Sequence, residues 1–271
     1  MMLGAIIGDI VGSTREWHNI KTEDFELLPN GSRFTDDSVM TLAVAEWLMS
    51  DPNHRPDTLV TIMQELGRKY PNAGFGGMFR NWLKTDNPQP YGSYGNGSAM
   101  RVSPVGLYAN SLDEALELAR ITASVTHNHP EGIKGAQAIA TCVWMKKSGG
   151  VGDERMKSYV EEKFGYDLNI KLEDIREAYR FDVSCQGSVP IAIMAYLQRH
   201  DALGKLRLAI SMGGDSDTIG CMTASIAFAN TPVPTDLEES CKTLLTPELL
   251  DIAERFEDYI DKRIANRKVM R

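Results

Sequence analysis

The chain has little cysteine and no paired cysteine motif. Its 271 residues contain four cysteines, scattered singly and never as C-x-x-C. This spacing excludes a zinc framework and gives no sign of a disulfide scaffold. The chain also lacks an apolar run of membrane-spanning length. The apolar start at 1–8 has no basic residues and ends at Asp9, so it does not match a signal peptide. We therefore expect a soluble cytoplasmic protein with no membrane partner.

The chain also lacks an excess of positive charge. Its formal net charge is −8 and its isoelectric point is about 5.2. This balance argues against a nucleic-acid backbone as the main ligand. The hydrophobic content of 42% and charged content of 24% are ordinary for a globular protein. The length suffices for a large core without covalent staples, and we expect one domain over 1–271, with a monomer favoured.

Strand-like alternation is nearly absent, whereas helical periodicity recurs along the chain. Leu59, Ile62, Met63 and Leu66, for example, follow an i, i+3, i+4, i+7 stripe. The fold class predicted is all-α, as a compact single domain. Helices are predicted at 39–49, 59–66, from 112 through 119, from 130 to the stop at 148–150, and at 154–164, 172–179, 189–197, 202–210, 218–229 and from 247 onward.

Two short acidic clusters lie about 180 residues apart. The first is Thr35-Asp36-Asp37, and the second is Asp215-Ser216-Asp217-Thr218. Each offers two carboxylates and a threonine hydroxyl, which are hard oxygen donors suited to Mg²⁺, Mn²⁺ or Ca²⁺ rather than zinc or copper. If folding joins the clusters, their ligands could hold two ions that clamp a substrate and orient a water.

Each cluster has a simpler interpretation. Asp and Thr before a helix usually cap its free N–H groups, and for the first cluster capping is the commoner role. The second cluster has more oxygens than one cap needs. It also begins like an EF-hand loop, but Ile219 and Ile226 stand where that loop requires ligands. A metal site here would be of another kind.

Glycine-rich loops stand out against the helical background, at 72–79, 92–101 and 211–214. The first two match neither a P-loop nor a dinucleotide-binding fingerprint. Dense glycine still lets backbone N–H groups approach an anion such as a phosphate. Tyr94 and Phe75, each embedded in glycine, could stack on a planar base. The alternative is a set of ordinary helix–helix turns, although loops of this composition favour binding.

Two further features carry ionisable groups. His127 and His129 precede the helix predicted from Pro130, but no third ligand lies at usable spacing, so capping or substrate contact is favoured over zinc. Glu16 follows a glycine-flanked turn. It is either a solvated surface charge or, if it faces the metal site, a group that positions or deprotonates a water.

Taken together, these motifs resemble the ADP-ribosylglycohydrolase family over nearly the whole chain. The resemblance rests on Gly8-Asp9, Gly12-Ser13 and Glu16; Phe34-Thr35-Asp36-Asp37; the segment from Gly92 to Arg101; Thr126-His127; and Gly213-Gly214-Asp215-Ser216-Asp217-Thr218-Ile219. Each motif is weak alone, but their order and separation are specific. Ser216 stands where threonine is commoner, and 150–181 matches no motif of the family.

The resemblance implies a compact all-α fold with a binuclear Mg²⁺ centre, for which Mn²⁺ is an alternative. It implies one set of metal ligands and one of ADP-ribose contacts, with Glu16 as the catalytic carboxylate. The implied metal ligands are Thr35, Asp36, Asp37, Asp215, Asp217 and Thr218. The implied substrate contacts are Gly74, Phe75, Gly76, Gly77, Gly92, Ser93, Tyr94, Gly95, Asn96, Gly97, Met100 and His127.

The function expected from this resemblance is Mg²⁺-dependent hydrolysis of the glycosidic bond between ADP-ribose and an acceptor. The substrate would be an ADP-ribosylated protein or small molecule, and the linkage to arginine, serine, a base or another group stays open. One alternative is a non-catalytic protein that has kept the fold, as certain lens crystallins have. The other is a metal-dependent nucleotide phosphoesterase.

Overall fold

Helices carry the regular structure of the protein. The computed structural model describes residues 2–269. Within this range the only β pairing is an isolated bridge between Gly95 and Ser184. The helices are α1 (Leu3–Gly12), α2 (Asp36–Ser50), α3 (Pro56–Lys69), α4 (Gly77–Lys84), α5 (Gly97–Met100), α6 (Ser103–Tyr108), α7 (Leu112–Ser124), α8 (Pro130–Lys147), α9 (Asp153–Phe164), α10 (Leu172–Ile175), α11 (Cys185–Leu197), α12 (Ala202–Ser211), α13 (Ser216–Ala227), α14 (Thr235–Thr243) and α15 (Pro247–Val269).

The all-α prediction is confirmed, and most predicted helices lie where the periodicity placed them. The exception in length is α10, which ends at Ile175 rather than continuing to 179. The carbonyls of Arg176 and Tyr179 instead accept hydrogen bonds from the Lys21 ammonium. The helices α1, α4, α5, α6 and α14 were not predicted. The termini of the predicted 1–271 domain, Met1, Met270 and Arg271, lie outside the described residues.

The centre of the molecule is the pair formed by α1 and α13. Every residue of both helices is buried. Helices α2, α11 and α12 pack around this pair, and α8 covers α11 and α13. The buried apolar side chains of these helices belong to one continuous hydrophobic core. None of the helices in the described part of the chain has the length and apolar character that crossing a bilayer requires.

Glycine allows the two central helices to touch backbone to backbone. Gly4, Gly8 and Gly12 fall one turn apart along the same face of α1. A Cβ atom on Gly8 would lie 2.2 Å from the carbonyl oxygen of Gly220, and one on Gly12 would lie 2.4 Å from Cα of Asp217. No side chain fits at such distances, so the sequence of α1 fixes how closely the first residues of α13 approach it.

Candidate metal centre and active-site cavity

The first acidic cluster begins α2. Thr35 is the N-cap residue, and its hydroxyl accepts a hydrogen bond from the N–H of Asp37 at 3.2 Å. The capping interpretation is therefore correct for Thr35, but it does not explain the two aspartates that follow. Asp36 and Asp37 lie in the first turn, where the positive end of the helix dipole favours carboxylates.

Asp9, from the middle of the buried helix α1, anchors this cluster. Its carboxylate accepts hydrogen bonds from the Thr35 hydroxyl at 2.7 Å and from the Thr35 N–H at 2.9 Å. It also accepts from the N–H and the hydroxyl of Ser38. These contacts hold the start of α2 against α1. The sequence interpretation noted Asp9 as the end of an apolar run and as part of a family motif but gave it no role, although an acid inside such a run was a signal that it has a buried partner.

The second cluster begins α13 and uses its oxygens differently. Gly213 and Gly214 have φ of +67° and +72°, a left-handed conformation that turns the chain sharply between α12 and α13. Asp215 is the N-cap residue, but its side chain makes no cap hydrogen bond. Its carboxylate accepts instead from the Asn96 side-chain amide at 2.6 Å. Capping therefore does not explain this aspartate.

Folding joins the two clusters. The Thr218 hydroxyl donates to the Asp37 carboxylate at 3.1 Å, across 181 residues of chain. Carboxylate oxygens of Asp9, Asp37 and Asp217 lie within 4.8 Å of one another, and so do those of Glu16, Asp215 and Asp217. Asp217 belongs to both sets, so the acidic groups form one continuous cluster.

This cluster fits a cation better than it fits protons alone. The Oδ1 atom of Asp37 is buried and has no hydrogen-bond partner. Burial first, and then the charges of Asp9 and Asp36, raise the pKa of Asp37 well above its usual range. Burial and the neighbouring charge of Asp215 raise the pKa of Asp217 in the same way. Carboxylates gathered in a buried site need positive charge, and hard oxygen donors suit a divalent ion.

Glu16 faces the cluster and is not a solvated surface charge. It lies in the segment after α1 and is partly buried. Burial, followed by the charge of Asp215, raises its pKa to about 7, while Arg33 and a hydrogen bond with Trp17 act in the opposite direction. A carboxyl group that titrates near neutral pH can exchange a proton with a bound water or a leaving group.

The acidic cluster lies on the wall of a cavity of about 700 Å³. This volume is typical of sites for nucleotide-sized ligands. All six predicted metal ligands line it. So do ten of the twelve predicted substrate contacts, namely Gly74, Phe75, Gly76, Gly77, Ser93, Gly95, Asn96, Gly97, Met100 and His127.

The other two predicted contacts, Gly92 and Tyr94, are not among the lining residues. The Gly92 N–H donates to the Asn128 side chain at 2.8 Å. The Tyr94 ring is 53% exposed and packs against the His129 ring, with centroids 5.4 Å apart. Gly92 and Tyr94 stay predictions as substrate contacts, and His129 accepts a cap hydrogen bond from the N–H of Glu131 at 3.1 Å.

A hydrogen-bonded chain fixes His127, which also lines the cavity. The buried Arg101 guanidinium donates to the Thr126 hydroxyl at 2.8 Å, and the distance from this hydroxyl to Nδ1 of His127 is 2.7 Å. Either atom of this pair can be the donor, because the direction of the bond depends on the tautomer of the ring. Burial and Arg101 lower the pKa of His127 well below its usual range, so the ring is neutral.

Several lining residues were given no role by the sequence interpretation. Arg101 was quoted within a motif only. Trp17 and Phe181 lie on the cavity wall and stack on each other, with centroids 5.4 Å apart. Phe181 ends the segment 150–181, which matched no motif, so this segment contributes helices α9 and α10 and then one wall of the cavity.

The family model for ADP-ribosylglycohydrolase matches residues 1–266. The chain belongs to the ADP-ribosylglycohydrolase family. It is therefore a hydrolase, and the family resemblance deduced from the sequence motifs is confirmed.

Relatives of this family member cover most of its length. ADP-ribosylhydrolase ARH3 of Mus musculus is 26% identical, over 89% of this chain and 86% of the mouse protein. An uncharacterized protein of Archaeoglobus fulgidus is 26% identical, over 84% of this chain and 85% of the archaeal protein. A solved structure described as an ADP-ribosylglycohydrolase-related protein complex shares the fold, with a TM-score of 0.66, 24% identity and coverage of 93% and 94% of the two chains.

Proposed function

We propose that this hydrolase uses Mg²⁺ to release ADP-ribose from an acceptor by cleaving the glycosidic bond at the ribose. The observation that carries the proposal is the position of Glu16. Its carboxylate lies within 4.8 Å of carboxylate oxygens of Asp215 and Asp217, on the wall of a cavity large enough for a nucleotide-sized ligand. The curated relatives of this chain that are named ADP-ribosylhydrolase ARH3 support the same chemistry.

The cavity lining combines acidic residues with hydrogen-bond donors, as a nucleotide sugar requires. The acidic cluster, Arg101 and His127 all line it. Nε of Arg101 is buried with no hydrogen-bond partner. A diphosphate would accept hydrogen bonds from these donors and from the glycine-loop N–H groups. The ribose would then extend toward the carboxylates, which places its reactive carbon near Glu16.

The residues present fit a divalent cation. The unpartnered oxygen of Asp37 is the clearest unused ligand atom, and the carboxylates of Asp36, Asp215 and Asp217 with the hydroxyls of Thr35 and Thr218 complete a set of hard donors. Bound divalent cations would neutralise this charge, bind ribose hydroxyls and lower the pKa of a bound water. Two ions are proposed because the family resemblance implies a binuclear centre, and the carboxylates of both acidic clusters meet in one site around Asp217.

Glu16 would act on the water that replaces the acceptor. As the water oxygen forms its bond to the ribose carbon, one water proton passes to the Glu16 carboxylate. The bond from that carbon to the acceptor breaks, its electron pair stays on the acceptor atom, and a proton completes the leaving group. The same carboxylate, which lies beside Asp215 and Asp217 on the cavity wall, would accept the first proton and pass it to the leaving group.

The test is release of ADP-ribose from substrates that carry it on arginine, on serine and on a small molecule. We expect release from at least one substrate in Mg²⁺ and none in EDTA. Release that persists in EDTA would contradict the metal proposal. No release from any substrate would contradict the function. Formation of AMP from free ADP-ribose would instead identify the phosphoesterase alternative.

A further inference from the structure

The segment that carries Glu16 makes few backbone hydrogen bonds. It follows α1 and forms neither helix nor strand over 13–20. Within the described chain the Glu16 backbone makes one hydrogen bond, in which its carbonyl accepts from the Asn19 side-chain amide at 2.8 Å. The same amide donates to the Arg15 carbonyl at 2.9 Å. The place of Glu16 at the acidic cluster is therefore not fixed by a secondary-structure element.

The other end of the Asn19 side chain meets the loop that carries Asp215. Its Oδ1 atom accepts from the Gly214 N–H at 2.7 Å, and its Nδ2 atom lies 3.4 Å from the Gly214 carbonyl oxygen. The orientation of the amide follows from its partners, because an N–H requires Oδ1 and the carbonyls require Nδ2. Gly214 is buried and directly precedes Asp215. One side chain thus joins the turn that carries Glu16 to a loop 195 residues away.

The glycines of this loop make room for Asn19. A Cβ atom on Gly213 would lie 2.8 Å from Oδ1 of Asn19, and one on Gly214 would lie 2.9 Å from the Tyr179 ring. Both glycines also have positive φ, which side chains rarely adopt. The loop is therefore packed closely between Asn19 and Tyr179, so a change at Asn19 is felt directly at the backbone that precedes Asp215.

We propose that Asn19 is a positioning residue that holds the Glu16 carboxylate beside Asp215 by binding the backbones of both segments at once. This inference rests on the proposed function, because Glu16 is the group that exchanges protons there. Asn19 is not among the residues that line the cavity, so it acts on the reaction through Glu16 and not through the substrate. A misplacement of about 1 Å can cost a catalysed reaction about 10²-fold in rate, so a surface side chain can control kcat in this way.

The experiment is a double-mutant cycle of Asn19→Ala and Glu16→Gln. The readouts are kcat and KM for release of ADP-ribose, over a titration of Mg²⁺. Asn19 is exposed, so its truncation leaves the hydrophobic core intact. Asn53→Ala is the matched control, because Asn53 is also an exposed asparagine and its hydrogen bond to Asp51 comes from the backbone N–H, which alanine keeps.

We expect Asn19→Ala to lower kcat by about 10- to 100-fold at saturating Mg²⁺ and to change KM by less than about 3-fold. In the Glu16→Gln background the same change should have no further effect, because an amide takes no proton wherever it lies. Asn53→Ala should match wild type. The proposal is overturned if Asn19→Ala lowers kcat equally in both backgrounds or mainly raises KM. It is also overturned if added Mg²⁺ restores the activity, since Asn19 would then position Asp215 as a metal ligand.

A second variant separates the two ends of the side chain. Asn19→Asp keeps an acceptor for the Gly214 N–H but loses the donor to the Glu16 carbonyl. We therefore expect it to lower kcat as Asn19→Ala does. If Asn19→Asp keeps the wild-type kcat, the contact with Glu16 is not what matters, and the positioning proposal is wrong.

Amide hydrogen exchange separates this proposal from the proposed function, because it needs no substrate. The Gly214 N–H should exchange slowly in wild type and in Asn53→Ala, and at least about 10-fold faster in Asn19→Ala. If no substrate releases ADP-ribose, the hydrolytic function fails, and exchange that depends on Asn19 still supports its joining of the two segments. If substrates are cleaved but Gly214 exchanges at the same rate in all variants, the positioning proposal fails alone.

Discussion

Removing divalent cations should destabilise this protein, and the loss should grow as pH rises. Burial and neighbouring carboxylates raise the pKa of Asp36 from 3.8 to about 8 and that of Glu16 from 4.5 to about 7 in the metal-free protein. In the unfolded chain both groups ionise near their ordinary values. Between about pH 4 and 8 the folded state therefore holds more protons than the unfolded state, so the free energy of unfolding falls as pH increases.

The magnitude follows from linkage. Each carboxyl group that is protonated only in the folded state lowers the free energy of unfolding by about 1.4 kcal/mol per pH unit. For a domain of this size, 1 kcal/mol corresponds to roughly 2–4 °C in Tm, so the metal-free Tm should fall by about 3–6 °C per pH unit for each such group. A metal ion at a hundred times its Kd restores about 2.7 kcal/mol, or roughly 5–11 °C.

The assay is thermal unfolding in EDTA and in saturating Mg²⁺, at a series of pH values from about 5 to 8.5. Asp217→Asn is the matched control, because it removes a carboxylate shared by both groups of the cluster. In EDTA at high pH this variant should be more stable than wild type, and it should respond less to Mg²⁺. A metal-free Tm that rises over this pH range, or equal Tm values with and without Mg²⁺, would refute the reasoning.

Three further predictions concern single side chains. Glu16→Gln should lower kcat by about 10²- to 10⁴-fold with little change in ADP-ribose affinity by calorimetry, and a collapse of affinity with kcat preserved would make Glu16 a binding residue. Gly8→Ala should lower the free energy of unfolding by at least about 1–3 kcal/mol in chemical denaturation, because its Cβ would lie 2.2 Å from the Gly220 carbonyl oxygen. The control Gly150→Ala places its Cβ in open space and should change that free energy by less than about 0.5 kcal/mol. Lys21→Met leaves the carbonyls of Arg176 and Met212 without this donor, while Tyr179 keeps its bond from Arg180. The change should cost about 1–3 kcal/mol, and an unchanged Tm would show that Lys21 does not hold the segment after α10 in place.

Hydrophobic periodicity and helix-start residues predicted many of the helices, because both signals lie within the helix itself. Pro130 opens α8 and the stripe from Leu59 to Leu66 lies within α3, as the sequence indicated. The donor types in the acidic clusters also pointed to a divalent cation without any knowledge of the fold. These features depend on neighbours in sequence, which a single chain shows directly.

Features that depend on distant contacts were missed. The apolar segment of α1 has no polar face because all its sides are buried, so amphipathic periodicity could not identify it. Its glycines at four-residue spacing were the available signal of close helix packing. The end of α10 depends on Lys21, which lies about 150 residues earlier in the chain. Phe181 reaches the cavity only because the chain turns away after Ile175.

The buried carboxylates Asp9 and Asp37 have different roles, and removing each should change stability by a different amount. Both carboxylate oxygens of Asp9 accept hydrogen bonds from the start of α2, and two of the donors are backbone N–H groups. By contrast, Oδ1 of Asp37 has no hydrogen-bond partner. Asp9→Ala should therefore destabilise the protein in EDTA by about 1–3 kcal/mol for each buried N–H left without an acceptor. Asp37→Ala removes a repelled carboxylate, so above pH 8 in EDTA it should leave the protein more stable than Asp9→Ala does, and it should weaken the response to Mg²⁺. If the two variants show the same Tm in EDTA, then Asp9 does not anchor α2, and the division between one aspartate that holds the fold and one that holds the metal is wrong.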